Sequence, residues 1–498
     1  MNVNPITRLD YPDLDVIRVE DTYYMVSTTM HFMPGCEILQ SFDLVHWEHV
    51  TYVYETLDHT DAQQLKSGQN IYGQGMWAAS LRYHEGRFCI CFVANDTRKT
   101  YLYTSEKIDG PWKKQLIEGF YHDGSLLFDE DGRSYIVYGN DEIWITELNE
   151  DLTAPKKDGL HRLLVSDHKN PELGYEGSHI QKINGYYYIF LVHSLRDRWM
   201  RTEACFYSDS LEGEFTGGDV LCDDRGYCGQ GVAQGGIVDT PDGKWYAMLF
   251  QDFGAVGRIP ILLPVTWKDH FPFFGQNGHV PEEIEVHSTR PGYIYQPLVG
   301  SDDFCNGLLP RWQFNHDPDP QYYHLDALQG TYTITTREVC TELTQAVNTL
   351  TQRMSYPSCA AEVTVDASAL KEGDVAGLCA LQSCYAAVGI TKHHGKYEVL
   401  MLDKKEDGIL DMTEGTIVES HQMDFRLEAD FCNMKDEARC YYRVNKGDWL
   451  PIGTVHKLYF KLDHFTGCRF GLFCYAAEET GGSACFRDFK YYDVDEIS

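Results

Sequence analysis

Several features that mark other protein classes are missing from this sequence of 498 residues. No Cys-x-x-Cys pair occurs among its 16 cysteines, so the usual spacing of a zinc site is absent and no metal site is predicted. No apolar run approaches the roughly 18 residues of a membrane-spanning helix. The first residues, MNVNPITRLD, contain neither the basic nor the apolar region of a secretion signal. We therefore expect a reduced, cytoplasmic protein without a membrane partner.

Basic residues are scarce relative to acidic ones. The 42 Lys and Arg residues stand against 75 Asp and Glu residues, which gives a formal net charge of −33. Because binding to nucleic-acid phosphates or to anionic membranes needs a basic face, neither partner is expected. Aromatic residues are abundant, with 33 Tyr and 9 Trp. Such rings can stack on sugar faces, although most of them fill β-rich cores.

Helical periodicity is almost absent, and one phrase recurs instead. It reads EDTYYMVS from Glu20, EGRFCICF from Glu85, DGRSYIVYG from Asp131, NGYYYIFLV from Asn184 and DGKWYAMLF from Asp242. Each copy is a tight turn followed by an aromatic-rich strand, and a spacing of roughly 45 to 65 residues is typical of propeller blades. The sequence therefore predicts a five-bladed β-propeller with its ligand site where the innermost strands begin. A large sandwich with accidentally similar hairpins is the alternative.

The pattern changes at about residue 300. Segments such as CAAEVTVDASAL and ARCYYRVNKGDWLPI alternate polar and apolar residues at period two, with turns between them. This pattern is typical of an antiparallel β-sandwich. We predict an all-β chain with a propeller domain at residues 1–299 and a sandwich domain at residues 300–498.

Three acidic residues stand just upstream of the recurring turns. They are Asp13, Asp123 and Glu176, in the predicted blades one, three and four. A propeller would bring all three to one end of its channel. Two carboxyl groups facing one pocket suit general acid and general base catalysis on an acetal, and a third nearby can raise the pKa of the acid. Each residue alone is equally explained as a turn residue that caps its own backbone.

Five segments resemble, in order, the motifs of glycoside hydrolase family 43. They are YPDLDVIRVEDTYYMVST, GMWAASLRYHEGRF, HDGSLLFDEDGRSYIVYG, YEGSHIQKINGYYYIF and GRIPILLPVTWKDHFP, and the similarity spans residues 4 to about 282. The resemblance implies a five-bladed propeller that cleaves xylosides and arabinofuranosides with inversion. The rest of the chain resembles the concanavalin A-like domain that follows the propeller in members of the β-xylosidase type. In such enzymes a loop of this domain narrows the active site.

The resemblance also implies roles for the three carboxylates. Asp13 matches the general base of the family's Y-P-D-P-S motif, with Leu14 at the proline position and Asp15 as scaffold at the serine position. Asp123 matches the aspartate that modulates the pKa of the acid and orients the sugar. Glu176 matches the general acid.

Four further positions are implied as substrate-binding. Trp77 and Phe32 match residues that line the sugar pocket, with a plain core role as the alternative, and Arg258 matches a basic residue that meets sugar hydroxyls. Gln234 stands where many members carry a histidine near a calcium ion. Its amide can bind a sugar or water, so no cofactor is expected to be required, and a structural calcium stays open.

The expected function is that of an inverting exo-glycosidase. It would release pentoses from the non-reducing end of xylo- or arabino-oligosaccharides, as a β-D-xylosidase, an α-L-arabinofuranosidase or both. The alternatives are a non-catalytic carbohydrate-binding propeller and a sugar phosphorylase, which would need clustered basic residues for phosphate. Oligomerisation is left open.

Overall fold

The computed structural model describes residues 2–413 and 415–493, so residues 414 and 494–498 of the predicted second domain lie outside the described residues. Within this part of the chain the fold is built from β-strands, without any α-helix, and the predicted all-β class is confirmed. Four short 3₁₀ helices occur, at Lys66–Gly68, Gly254–Val256, Leu343–Gln345 and Cys432–Met434. Among the described residues we find no helix long and apolar enough to cross a membrane.

Five four-stranded antiparallel sheets form the predicted propeller. Each sheet is one blade, and its four strands follow one another along the chain. Blade 1 contains Asp15–Val19, Thr22–Val26, Gly35–Ser41 and Glu48–Tyr54; blade 2 Met76–His84, Arg87–Ala94, Lys99–Ser105 and Lys113–Ile117; blade 3 Ser125–Phe128, Ser134–Asn140, Glu142–Leu148 and His161–Ser166; blade 4 Glu176–Ile183, Tyr186–Ser194, Arg201–Ser208 and Thr216–Leu221; blade 5 Ala233–Asp239, Trp245–Asp252, Arg258–Lys268 and Phe271–Phe274.

The recurring phrase of the sequence forms the turn and the second strand of each blade. In blades 2 and 4 the turn residues Glu85–Gly86 and Asn184–Gly185 all have positive φ, which is the type I′ hairpin geometry that twists in the sense of the flanking strands. Glycine at the second turn position takes this conformation without steric cost. The repeated turn signal therefore marks each blade once, between its first and second strands.

The first strands of the blades contact one another around a closed ring and so line the central channel. Asp15 crosslinks this ring, because it accepts hydrogen bonds from the Leu81 amide at 2.8 Å and Arg82 at 2.7 Å, and contacts His179 at 3.2 Å. Burial alone would raise the pKa of Asp15, but these partners, Arg82 foremost, lower it to about 2. Asp15 thus joins blades 1, 2 and 4 as an anion.

Two sheets form the sandwich that follows. The first contains, in spatial order, Leu410–Met412, Lys396–Lys404, Ala386–His393, Val375–Leu381, Arg469–Tyr475, Leu350–Arg353, Gln313–Asn315 and Phe32–Met33, with Thr416–Val418 also on Lys396–Lys404. The second contains Tyr323–Asp326, Thr331–Thr335, Ser483–Asp493, Ser358–Asp366, Gln422–Asp430, Glu437–Arg443 and Leu450–Lys457. A further pair, Asn2–Val3 with Glu283–Ile284, lies outside both domains' sheets.

The burial of the sandwich strands follows their position. Glu437–Arg443 alternates buried and partly exposed residues, as the period-two pattern predicts. Val375–Leu381 is buried throughout, because alternate side chains enter the core between the sheets and the cluster that contains Phe32 of the propeller.

The two domains share a sheet. Phe32–Met33 leaves blade 1 and pairs with Gln313–Asn315 of the sandwich. Beside this strand, Arg353 of the sandwich forms a buried ion pair with Glu37 of blade 1 at 2.9 Å. The predicted boundary between residues 299 and 300 stays a prediction, since a strand from one side completes a sheet on the other.

Candidate active site

A cavity of about 930 Å³ lies at one mouth of the propeller channel. It brings together six of the seven predicted site residues, which are Asp13, Trp77, Asp123, Glu176, Gln234 and Arg258. The first five come from five different blades, each at or just before the start of the innermost strand. The propeller therefore converts one repeated position in the sequence into a ring of side chains.

Phe32 is the predicted residue that the structure does not bring to the cavity. Its side chain is fully buried in a core cluster of the sandwich sheet, and the guanidinium of Arg469 lies 3.5 Å from its ring centroid. The prediction that Phe32 lines the sugar pocket is thus corrected. Its strand pairs with the sandwich, which turns the ring toward the domain junction.

Asp13 is held by two side-chain donors. Its Oδ1 accepts a hydrogen bond from Arg258 at 2.8 Å, and its Oδ2 accepts one from the Thr28 hydroxyl at 2.8 Å. Arg258 is itself 2% exposed and stacks on the ring of Phe465, 4.4 Å from its centroid. A carboxylate with fixed charge-assisted partners keeps one orientation, and its remaining lone pairs are free to bind water.

A backbone hydrogen bond between blades 3 and 4 holds Asp123 beside Glu176. The Gly177 amide donates to Oδ2 of Asp123 at 3.0 Å, and Asn140 donates to Oε2 of Glu176 at 2.7 Å. Gly177 has a φ of 65°, and a Cβ there would lie 2.7 Å from Gln234. Glycine is therefore required beside Glu176, both for the backbone conformation and for the close approach of blade 5.

His122 also belongs to the site, and sequence reasoning missed it. Its Nε2 lies 3.4 Å from Oε2 of Glu176 and 3.6 Å from Oδ2 of Asp123. The negative charge of Asp123, with that of Glu176, raises the pKa of His122 to about 9, so the imidazole is protonated at neutral pH. Burial raises the pKa of Asp123, while His122 opposes the rise. The available signal was the position of His122 directly before Asp123 in the segment FYHDGS.

The three neighbouring residues His122, Asp123 and Glu176 are also the group that could hold a metal ion. Their ligand atoms lie within 4.8 Å of one another, and no other set of three or more His, Cys, Asp or Glu residues among those described does so.

One wall of the cavity comes from the sandwich. Its residues are Met434, Asp436, Lys457, Leu458, Tyr459, Phe460, Lys461, Leu462 and Phe465. The ring of Phe465 lies 5.5 Å from that of Trp77, and its carbonyl oxygen lies 3.5 Å from Arg258. Sequence reasoning named none of these residues, because apart from Lys457 at the end of Leu450–Lys457 they lie between strands, where no periodic pattern marks them.

The opposite wall comes from blades 4 and 5. Arg201 forms an ion pair with Asp252, and its guanidinium lies 5.2 Å from the ring centroid of Trp199. Trp199 is 43% exposed at the rim. The cavity therefore combines three carboxylates at its base with aromatic walls, which suits proton transfer to and from a ligand that stacks an apolar face.

Both parts of the chain match known families. Residues 3–272 match Glycosyl hydrolases family 43, and residues 301–492 match the beta xylosidase C-terminal concanavalin A-like domain. Among characterised relatives, a beta-xylosidase of Formosa agariphila is 26% identical, over 99% of this chain and 89% of that protein. A non-reducing end alpha-L-arabinofuranosidase of Bacteroides ovatus is 23% identical, over 82% of this chain and 79% of that protein.

Solved structures agree with these matches. A bifunctional GH43-CE protein of Bacteroides eggerthii is 42% identical with a TM-score of 0.92; the match covers 100% of this chain, which spans 64% of that longer protein. A GH43 glycoside hydrolase engineered to display both endo-xylanase and exo-arabinofuranosidase activity is 27% identical, with a TM-score of 0.86 and 99% of each chain covered. A five-bladed propeller with Asp13, Asp123 and Glu176 in one cavity, and a family match over more than half of the sequence, establish that this chain belongs to glycosyl hydrolases family 43.

Proposed function

We propose that this protein is an inverting exo-glycosidase that releases a pentose from the non-reducing end of xylo- or arabino-oligosaccharides. The observation that carries the proposal is the cavity shared by Asp13, Asp123 and Glu176. Support for pentose substrates comes from the names of the relatives, a beta-xylosidase and an alpha-L-arabinofuranosidase. The C-terminal domain of the beta xylosidase type favours the β-D-xylosidase activity.

In this proposal Glu176 is the general acid and Asp13 the general base. Glu176 protonates the glycosidic oxygen, while Asp13 removes a proton from a water molecule that attacks the anomeric carbon from the opposite face. Inversion requires room for this water, with the two carboxyl groups about 6.5–9.5 Å apart. Arg258 and Thr28 orient Asp13 toward the water, because each occupies one of its oxygens.

Asp123 acts beside the acid, as a third charge. Its Oδ2 is fixed by the Gly177 amide, next to Glu176 in the chain. A neighbouring carboxylate favours the protonated form of an acid by like-charge repulsion, and its oxygen can also accept a hydrogen bond from a sugar hydroxyl. His122 lies between the two carboxylates and offsets part of this repulsion.

The sandwich wall supports exo-action, in which the enzyme cleaves the terminal sugar of a chain. Phe460, Leu462 and Phe465 close one side of the cavity. Without them the groove would be open at both ends, and a polysaccharide chain could lie across it. Trp77 and Phe465 provide rings for the pentose at the base. A substrate is then bound by its end.

The residues near Gln234 do not fit the calcium ion that accompanies a histidine in many family members. Calcium takes six to eight oxygen ligands, mostly anionic or carbonyl groups. The carboxyl group that contacts Gln234 is Glu203, whose Oε2 accepts a hydrogen bond from the backbone N–H of Gln234 at 2.7 Å. Burial raises the pKa of Glu203 well above its usual range, which disfavours the anionic form that calcium binds. No step of the proposed reaction uses a metal.

The two alternatives are weaker on specific observations. A non-catalytic binding protein needs no second and third carboxylate at the base of its pocket. A phosphorylase needs cations that are free to bind phosphate, whereas the cavity arginines Arg201 and Arg258 are paired with Asp252 and Asp13. Of the two lysines in the sandwich wall, Lys461 is paired with Glu406, and Lys457 donates to the carbonyl groups of Met434 and Lys435.

Purified variants on p-nitrophenyl pentosides and xylobiose test the proposal. Asp13→Asn should lower kcat on all substrates by roughly 10²–10⁴-fold, and Glu176→Gln by a similar factor on xylobiose but less on the p-nitrophenyl glycosides, whose leaving group needs little protonation. The matched control is Glu130→Gln, an 85% exposed carboxylate on blade 3, which should keep wild-type rates. Wild-type rates in either active-site variant would refute the assigned roles.

Two further readouts separate the alternatives. NMR of the first-formed sugar should show the anomer opposite to that of the substrate, and retention would contradict the role of Asp13. Added phosphate should neither accelerate turnover nor yield a sugar phosphate. The cytoplasmic location and the absence of a required cofactor stay predictions.

A further inference from the structure

We propose that His122, Asp123 and Glu176 form a binding site for a divalent transition-metal ion of the zinc class, open toward the cavity, and that the bound ion inhibits hydrolysis. The three residues carry one imidazole nitrogen and two carboxylate oxygens whose ligand atoms all lie within 4.8 Å of one another. This place is distinct from the Gln234 position. The binding part stands on geometry alone, and the inhibition part rests on the proposed function.

The spacing of the ligand atoms fits a tetrahedral ion. Zinc–nitrogen and zinc–oxygen bonds of about 2.0–2.2 Å place neighbouring ligands roughly 3.3–3.6 Å apart around a tetrahedral centre. Nε2 of His122 lies 3.4 Å from Oε2 of Glu176 and 3.6 Å from Oδ2 of Asp123. Two of the three ligand separations therefore already have the value that a bound ion requires.

The ligand oxygens are oriented by other partners. Asn140 donates to Oε2 of Glu176, and the Gly177 amide donates to Oδ2 of Asp123. Such outer hydrogen bonds fix ligand carboxylates in metal sites and raise affinity. Asp123 is 6% exposed, while the side chains of His122 and Glu176 keep about a fifth of their surface accessible, which leaves the fourth coordination position on the cavity side.

The charge of the cavity favours a divalent cation at this point. Arg258 is engaged with Asp13, and Arg201 with Asp252, so each cavity arginine already has a carboxylate. Asp123 and Glu176 share His122 between them. A divalent ion at this point would contact both carboxylates and offset their negative charge.

The ligand set also selects the class of ion. Imidazole suits zinc, copper, nickel and iron, whereas calcium and magnesium take oxygen ligands. An ion on Oε2 of Glu176 keeps this carboxylate from carrying a proton to the glycosidic oxygen. Hydrolysis of substrates with poor leaving groups should therefore be lost first.

The test is calorimetric titration of the chelator-stripped full chain with zinc ions alone. Wild type should bind one ion, and His122→Phe and Asp123→Asn should each weaken binding at least about tenfold. The matched control is His46→Phe, since His46 pairs with the single carboxylate of Asp43 at 2.8 Å and lacks a third ligand. The control should bind as wild type does. Calcium should not compete.

A second measurement does not depend on the folding of any variant. Cobalt ions added to wild type should give the visible absorption of a four- or five-coordinate site, and zinc should abolish it. Equal zinc affinity of wild type and His122→Phe, or a cobalt spectrum like that of the hydrated ion, would overturn the site. An unchanged rate of xylobiose hydrolysis at saturating zinc would overturn the placement of the ion on Glu176. Zinc binding by a protein inactive on all pentosides would refute the proposed function and leave the site intact.

Discussion

Three buried histidines at the domain junction predict a measurable coupling between pH and stability. His31 comes from the propeller and His316 and His464 from the sandwich, and all three are at most 2% exposed. The ring of His31 lies 4.9 Å from that of His316 and 5.0 Å from that of His464. Protonation of this cluster would place charges inside the contact between the two domains.

The folded chain holds these rings neutral. Burial is the main cause that lowers the pKa of each of them, with a smaller contribution from neighbouring positive charge, and it lowers that of His464 to about 3. Neither ring nitrogen of His31 or His464 has a hydrogen-bond partner among the described residues. No acceptor is therefore available to stabilise an imidazolium at His464, whereas Nδ1 of His316 lies 3.3 Å from Oδ1 of Asn315.

The sign of the effect follows from proton linkage. Below the unfolded pKa of about 6.5 the unfolded chain binds a proton at each histidine that the folded chain does not, so the free energy of unfolding falls as pH falls. Between pH 7 and pH 5 His464 costs about 2 kcal/mol, and His31 and His316 act in the same direction. Burial raises the pKa of Asp317, Asp374 and Asp436 to about 6, and these groups act in the opposite sense.

Comparison of a variant with wild type isolates one histidine from these opposing groups. His464→Phe keeps an aromatic ring of similar size and removes two unpaired nitrogens. Its gain in the free energy of unfolding over wild type should be about 2 kcal/mol larger at pH 5 than at pH 7, measured by urea unfolding. His324→Phe, at an exposed position on the second sandwich sheet, is the control with no expected pH-dependent difference. The same stability difference at both pH values would refute a neutral buried cluster.

Three other perturbations have defined outcomes. A fragment of residues 1–295 should be poorly soluble and inactive, because it exposes Phe32 and leaves Glu37 without Arg353; a soluble, fully active fragment would contradict the shared sheet. Asp123→Asn should lower kcat at least about tenfold and move the alkaline limb of the pH–rate profile to lower pH, because one charge that repels Glu176 is lost. An unchanged alkaline limb would refute the role of Asp123 as modulator of the acid. The kcat/KM for p-nitrophenyl β-D-xyloside or α-L-arabinofuranoside should be about 100-fold higher than that for the β-D-glucoside, a difference of roughly 2.7 kcal/mol, because a tight pentose pocket clashes with the hydroxymethyl group of a hexose. A preference for the glucoside would refute the substrate assignment.

The parts of the site that could be predicted from the sequence are those that repeat. Asp123 and Glu176 each precede or begin the inner strand of a blade, and a tight turn marks the next strand. Such signals are local, because turn residues and period-two alternation act over a few neighbours. The family resemblance then gave these positions roles that spacing alone left open.

The parts that could not be predicted depend on contacts between distant segments. Phe32 has the sequence neighbours of a pocket residue, yet its two-residue strand pairs with Gln313–Asn315 and carries it into the junction. His122 is adjacent to Asp123 in the sequence, but its contact with Glu176 exists only because blades 3 and 4 meet at the channel mouth. No periodicity in a single segment encodes either contact.

The two proposed catalytic carboxylates depend on the domains to different degrees. Glu176 contacts Asn140 and His122, both on the propeller. Asp13 is held by Arg258, whose guanidinium stacks on Phe465 of the sandwich, and the neighbouring Asp10 accepts hydrogen bonds from the amides of both Arg258 and Gly467, each at 2.8 Å. The sandwich therefore contributes to the orientation of the proposed base and leaves the proposed acid to the propeller. This asymmetry gives the second domain a part in the water-activation half of the reaction, beyond its covering of the pocket.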